Sequence, residues 1–156
     1  INFRSISKIL KKSKIKGKIV GGYYPYNYEV DGMKILEKFH EKKWTISLPK
    51  IKKNFQMDFF KWSFQEPLKI NPYGIPEPIS EKIEYPDIIL VPLVAYDNYH
   101  NRIGYGGGFY DRYIKKIKKN KKIITIGLAF SFQKVKKVPI NKHDFKLDYI
   151  VTEKGN

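Results

Sequence analysis

Cysteine is absent from the 156 residues, which excludes a disulfide framework, a zinc–thiolate centre and a cysteine nucleophile together. Acid is scarce: 15 Asp and Glu stand against 31 Lys and Arg, a formal charge of +16. A field of that sign attracts polyphosphates, acidic cofactors or nucleic acid. No apolar run approaches the ~20 residues of a membrane span, and the amino-terminal stretch lacks a signal-peptide hydrophobic segment. A cytoplasmic protein with no membrane contact is the expectation. Arginine is rare too. Only Arg4, Arg102 and Arg112 interrupt the lysines, and two of them flank one short glycine-rich segment. Where Lys is the default cation, Arg points to a need for a planar, bidentate donor.

What is present suits one compact domain over residues 1–156. Hydrophobic residues at 42 % and aromatics at 15 % can build a core in a chain of this length, despite 29 % charged residues. Phe3, Ile6, Ile9 and Leu10 share one face of an amphipathic helix over 1–12. Lys18–Tyr24 reads as a strand broken by Pro25, and Asp31 as the N-cap of a helix over 32–42. A short strand over Thr45–Leu48 is expected to stop at Pro49. Phe55, Met57 and Phe59 alternate with polar residues, as on a half-buried strand. Residues 64–87, rich in proline, read as an ordered winding loop. Asp87–Pro92 has the apolar run of a central parallel strand. A helix follows at about 109–119, then strands over Ile123–Phe130 and Tyr149–Thr152. Strand, helix and strand alternate, so the class is α/β with a mainly parallel sheet.

The chemistry concentrates in Gly104-Tyr105-Gly106-Gly107-Gly108, between a strand–loop and a helix. Glycines let backbone N–H groups approach a phosphate, and a helix N-terminus behind them adds a favourable dipole. Two known phosphate patterns fail: no Gly-Lys-Ser/Thr follows, and Phe109 stands where a dinucleotide fingerprint needs a small residue. A plain strand-to-helix turn is the competing reading. The neighbours favour phosphate, because Arg102 precedes the run while Asp111 and Arg112 follow it. Asp111 suits a Mg²⁺ ion on the phosphates or, equally, an acid stabilised by the helix dipole. His40, His100 and His143 show neither metal spacing nor triad partners.

The run Pro92-Leu-Val-Ala-Tyr-Asp-Asn-Tyr-His-Asn-Arg-Ile-Gly-Tyr-Gly-Gly-Gly-Phe-Tyr-Asp-Arg-Tyr113 resembles the signature of the 5-formyltetrahydrofolate cyclo-ligase (5,10-methenyltetrahydrofolate synthetase) family. Tyr23-Tyr-Pro-Tyr-Asn-Tyr-Glu-Val-Asp31 is similar to the family's early strand and the acidic segment after it. Tyr73-Gly-Ile-Pro-Glu-Pro78 resembles its proline loop, and Val138–Asp144 with Leu147–Glu153 its carboxyl-terminal stretch. The resemblance implies a three-layer α/β sandwich, NagB/RpiA/CoA-transferase-like. It also implies ATP- and Mg²⁺-dependent closure of 5-formyltetrahydrofolate to 5,10-methenyltetrahydrofolate through a phosphorylated formyl group.

Carried over by position, the resemblance assigns ATP contacts to Arg102, Ile103, Gly104, Tyr105, Gly106, Gly107, Gly108, Phe109 and Tyr110. It places folate contacts at Tyr24 and Glu29 and again at Tyr105, Gly106, Gly107, Gly108 and Phe109. Metal ligands fall on Asp111 and Asp144, with Asp148 as an alternative to the latter, and catalytic roles on Arg102, Asp111 and Arg112. Glu77 is expected to organise the proline loop rather than touch a ligand. The family generally opens with a basic helix that reaches the nucleotide, and this chain is expected to lack it; Arg4, Lys11 and Lys12 are poor substitutes. A folate substrate, with or without a polyglutamate tail, fits the positive charge, and a monomer is expected. No nucleic-acid motif accompanies the lysines, so a nucleic-acid partner is not expected. Two alternatives remain: a folate- or nucleotide-binding relative without turnover, and a basic nucleic-acid-binding module, for which the +16 charge and the lysine clusters at 8–18 and 115–122 speak.

Overall fold

The computed structural model describes residues 1–156. Its frame is a seven-stranded sheet whose order does not follow the sequence. The strands are β1 (Ile19–Gly21), β2 (Thr45–Ile51), β3 (Met57–Trp62), β6 (Ile83–Glu84), β7 (Ile88–Val91), β10 (Ile124–Leu128) and β11 (Tyr149–Val151). They lie in the order β11-β10-β7-β1-β2-β3-β6. The first five in that order pair in parallel, and β3 and β6 add an antiparallel edge. Two ribbons stand apart from the sheet: β4 (Leu68–Ile70) with β5 (Pro76–Pro78), and β8 (Ala95–Tyr96) with β9 (Arg102–Ile103).

Three helices cover the sheet: α1 (Phe3–Lys12), α2 (Met33–Glu41) and α3 (Phe109–Lys118). Successive residues of a strand face opposite sides of a sheet, so β7 shows where each helix packs. Ile88 and Leu90 join Ile6 and Ile9 of α1 and Ile35, Leu36 and Phe39 of α2 in one buried cluster. Ile89 and Val91 join Tyr113, Ile114 and Ile117 of α3 in another. The result is helix, sheet and helix: the three-layer α/β arrangement expected. No helix is long and apolar enough to cross a membrane.

Several elements depart from their sequence signals for identifiable reasons. β2 runs through Pro49 to Ile51 instead of stopping at Leu48. Alternate N–H groups of a strand point the same way, and those of Thr45 and Ile51 donate to Lys18 O and the Glu77 carboxylate, away from β3. Proline at 49 therefore removes no bond from the β2–β3 ladder. Phe55 is not on β3 but closes a 3₁₀ turn over Lys53–Phe55, where Asn54 and Phe55 both adopt positive φ, at 61° and 56°. Two left-handed residues reverse the chain at the hairpin tip and leave the Phe55 ring exposed. The α2 N-cap is Gly32, yet Asp31 still does the capping: its Oδ1 accepts from Met33 N at 2.9 Å. The winding loop at 64–87 contains β4, β5 and β6, short strands whose proline content concealed their pairing.

Candidate active site

β1 and β7 are neighbours, but the chain leaves them in opposite directions. From β1 it runs through α2 to β2; from β7 it runs through α3, on the other face, to β10. A crevice opens where strand order reverses in this way, beyond the carboxyl ends of the strands, and ligands of open α/β sheets bind there. A cavity of about 890 Å³ lies at this point. The loop after β1 supplies one wall, with Tyr23, Tyr24, Tyr26 and Glu29, and the segment Arg102–Arg112 supplies the opposite one. Asn71, Tyr73 and Glu77 from the proline loop and Asn141, His143 and Asp144 from the late loop complete the rim.

Arg102 sits at the end of the β8–β9 ribbon, and a buried acid holds that ribbon in place. The Asp97 carboxylate accepts from Tyr99 N, Asn101 N, Asn101 Nδ2 and Val138 N at 2.9–3.1 Å. Burial pushes its pKa up, but the bonds from Val138, Asn101 and Tyr99 outweigh that and keep it below the usual carboxylate range. The Arg102 side chain is 7 % exposed, between the rings of Tyr110 and Phe145 at 5.6 and 5.3 Å. Its Nη2 lies 3.8 Å from Asp111 Oδ2, its Nη1 donates to Pro92 O at 3.4 Å, and its Nε has no partner. Burial lowers its pKa, while Asp111, Tyr110 and Asp144 support the charge. A buried guanidinium at a cleft wall, its charge only partly offset by Asp111, suits an anion.

The glycine loop turns from this ribbon into α3. Gly106 and Gly108 have φ of 91° and 67°, so glycine there answers to backbone conformation. Gly108 is the α3 N-cap and provides no side-chain acceptor, which leaves the first-turn N–H groups without a cap. The Arg112 guanidinium donates through Nε and Nη2 to Phe55 O at 2.9 and 2.5 Å, and through Nη2 to Gly107 O at 2.7 Å.

On the opposite wall Glu29 is half-buried, and the cation-rich chain offers it no ion pair. Its Oε2 accepts only from Tyr26 N at 3.0 Å, and burial raises its pKa to about 7. Its charge acts in turn on Tyr105 and Tyr110 of the facing segment and raises both phenols beyond the effect of burial, so the two walls are electrostatically close. Tyr23 is buried and anchors the Glu29 loop, donating from its hydroxyl to Val30 O at 2.8 Å.

The structure gathers Tyr24, Glu29, Asp111, Asp144 and every residue of Arg102–Tyr110 around one cavity. Asp148 is elsewhere. Its Oδ2 accepts from Thr125 N and Oγ1, and the side chain borders a hollow with Lys12, Lys14 and Lys122 at the amino ends of β10 and β11. That removes it as an alternative to Asp144. Arg4 and Lys11 do not line the cavity either. Glu77 has the expected organising role, accepting from Ile51 N and Asn71 Nδ2, although it also borders the cleft. Phe145, the second ring over Arg102, was missed because nothing local distinguishes it from a core aromatic. No group of three His or acidic side chains forms a metal cage. Asp111 and Asp144 fit an ion that takes one or two carboxylates and fills its remaining positions with phosphate oxygens and water, as Mg²⁺ does.

The model of the 5-formyltetrahydrofolate cyclo-ligase family matches residues 6–153. Among curated relatives, 5-formyltetrahydrofolate cyclo-ligase of Haemophilus influenzae is 31 % identical over 140 residues, spanning 85 % of this chain and 74 % of that protein. The same enzyme of Mycoplasma genitalium is 30 % identical over 152 residues, spanning 97 % and 81 %. Among solved structures, the 5,10-methenyltetrahydrofolate synthetase of Aquifex aeolicus superposes with a TM-score of 0.74 at 30 % identity, covering 97 % of this chain and 78 % of its own.

Proposed function

The chain belongs to the 5-formyltetrahydrofolate cyclo-ligase family, ATP-dependent enzymes that convert 5-formyltetrahydrofolate to 5,10-methenyltetrahydrofolate, and on that premise we propose that its cleft holds both substrates against opposite walls. ATP places its phosphates on the glycine loop and Arg102. The folate places its pterin at Glu29, with Tyr24 beside it. One observation carries this reading. A buried guanidinium and a desolvated carboxyl without a cation line one cavity from opposite sides.

The chemistry explains why both walls are needed. The formyl oxygen is a poor leaving group, so N10 cannot displace it directly. Transfer of the γ-phosphoryl group breaks its bond to the β–γ bridging oxygen, forms a P–O bond to the formyl oxygen and releases ADP. The formyl carbon becomes an iminium carbon, N10 attacks it and gives up its proton, and the C–O bond to phosphate breaks so that hydrogen phosphate departs as the ring's C=N bond forms. This chain contributes position and charge. Arg102 and the backbone N–H groups of Gly106–Phe109 balance negative charge on the transferring group. Asp111 and Asp144 would hold Mg²⁺, which supplies further charge neutralisation on the phosphates when bound. Glu29, ionised above about pH 7, accepts hydrogen bonds from the pterin and fixes its orientation. The test is ATP-dependent growth of the methenyl product's near-ultraviolet absorbance from 5-formyltetrahydrofolate. Both ligands binding with no product formed would reduce the protein to a binding relative.

A further inference from the structure

Arg112 follows Asp111 on the first turn of α3, beside the glycine loop, where sequence suggests a second phosphate-binding cation. Its surroundings describe another task. The Nε and Nη2 groups both donate to Phe55 O, 57 residues away, and Nη2 also donates to Gly107 O. The guanidinium lies over the Phe55 ring at 5.9 Å and over the Phe109 ring at 5.3 Å, and the two rings are 6.4 Å apart. One planar cation thus ties the tip of the β2–β3 hairpin to the glycine loop and lies alongside a contacting pair of aromatic rings, one from each.

The geometry points to Arg112 as a positioning residue, a strap that holds the glycine loop in its anion-accepting form by anchoring it to the hairpin tip. The C=O and N–H of one trans peptide unit point in opposite directions. Holding Gly107 O against Arg112 therefore turns the Gly108 N–H away from the guanidinium, and the peptide cannot flip without losing that bond. Three successive glycines leave the loop free to rotate, and ordering it at the moment of binding would weaken affinity. The strap supplies that order beforehand. Its far anchor is firm because the Lys53–Phe55 turn is closed by Lys52 N donating to Gln56 O at 2.7 Å and Gln56 N donating to Lys53 O. Lysine could not substitute, since an ammonium lacks the planar fork that bonds two carbonyls at once from one side of the ring pair.

The inference rests on the glycine loop being the phosphate site, and the experiment separates the two ideas. Two variants cut the strap at opposite ends: Arg112→Met, and replacement of residues 53–55 by a two-residue Asn-Gly turn, which preserves the hairpin but removes the Phe55 carbonyl and ring. Melting temperature confirms that each variant folds. ATP and 5-formyltetrahydrofolate are titrated separately, and amide exchange is followed at Gly107 and Gly108 without ligand. Each variant is expected to lose about tenfold in ATP affinity, to keep folate affinity within about twofold, and to exchange the loop amides faster. The combined variant should be no weaker than either alone, because both cut one strap. Full ATP affinity in the shortened hairpin beside a loss in Arg112→Met would overturn the inference and place Arg112 on the nucleotide itself. Multiplying losses would overturn it too. If the unaltered protein binds no ATP, the phosphate reading fails, and unchanged exchange in Arg112→Met would still refute the strap.

Discussion

Replacing Glu29 by Gln should weaken folate binding and stabilise the protein in the same molecule. The structure sets both effects. Burial raises the carboxyl from 4.5 to about 7, and no cation offsets the cost of desolvating its charge. Between those two values the folded state holds a proton that the unfolded chain has released, so stability falls as pH rises through that window. The full shift corresponds to roughly 3 kcal/mol above pH 7, and screening of a half-buried group reduces this to about 1–2 kcal/mol. Glutamine carries no charge, and its Oε1 can still accept from Tyr26 N. Glu29→Gln should therefore melt about 3–6 °C above the unaltered protein at pH 8, with the gain shrinking toward pH 5. Folate affinity should fall about tenfold to a hundredfold, the value of one charge-assisted hydrogen bond, while ATP affinity stays constant. The assays are thermal melts at both pH values and separate titrations of each ligand. A gain of equal size at pH 5 and pH 8, or none at pH 8, would refute the assignment of a strained carboxyl. Unchanged folate affinity would remove Glu29 from the pterin.

Arg102→Lys keeps the charge but loses the fork between Pro92 O and Asp111, so ATP affinity should fall about tenfold in calorimetric titration with folate binding unchanged. Asp111→Asn should abolish most turnover in the absorbance assay and weaken Mg²⁺–ATP more than folate; unaltered turnover would leave Asp111 a helix-dipole acid. Asp97→Ala leaves three buried donors and the part-buried Tyr99 N–H unpaired and should destabilise the fold by about 3–5 kcal/mol in denaturant melts, with activity lost through the ribbon that carries Arg102. Ile114→Ala, fully buried between α3 and the sheet, should cost about 2–5 kcal/mol in the same melts without changing either ligand's affinity in the protein that remains folded.

Much of this molecule is local physics and therefore legible along the chain. The apolar run at 88–91 packs on both faces and could only be a central strand; the spacing of Ile35, Leu36 and Phe39 could only bury one side of a helix. The glycine run marked a loop able to bring backbone N–H groups close to a phosphate, and four short blocks in order were enough to indicate the family. The elements that were misread are those whose partners are distant. Pro49 looks like a strand terminator until its missing N–H proves to face away from β3, and β4 and β5 pair only with each other across a proline loop. The same distinction divides the site. Residue type marked Arg102, Asp111 and Glu29 as candidates, but a carboxyl's pKa depends on what surrounds it, and only the reversal of strand order between β1 and β7 sets Glu29 opposite the glycine loop. Asp148 and Asp144 are four residues apart and chemically identical, yet β11 carries one to the amino end of the sheet while the loop leaves the other at the cleft. Arg112 is the clearest case. Its charge and its place beside the glycines are sequence facts, whereas its bond to a carbonyl 57 residues away exists only because the β2–β3 hairpin folds back against α3.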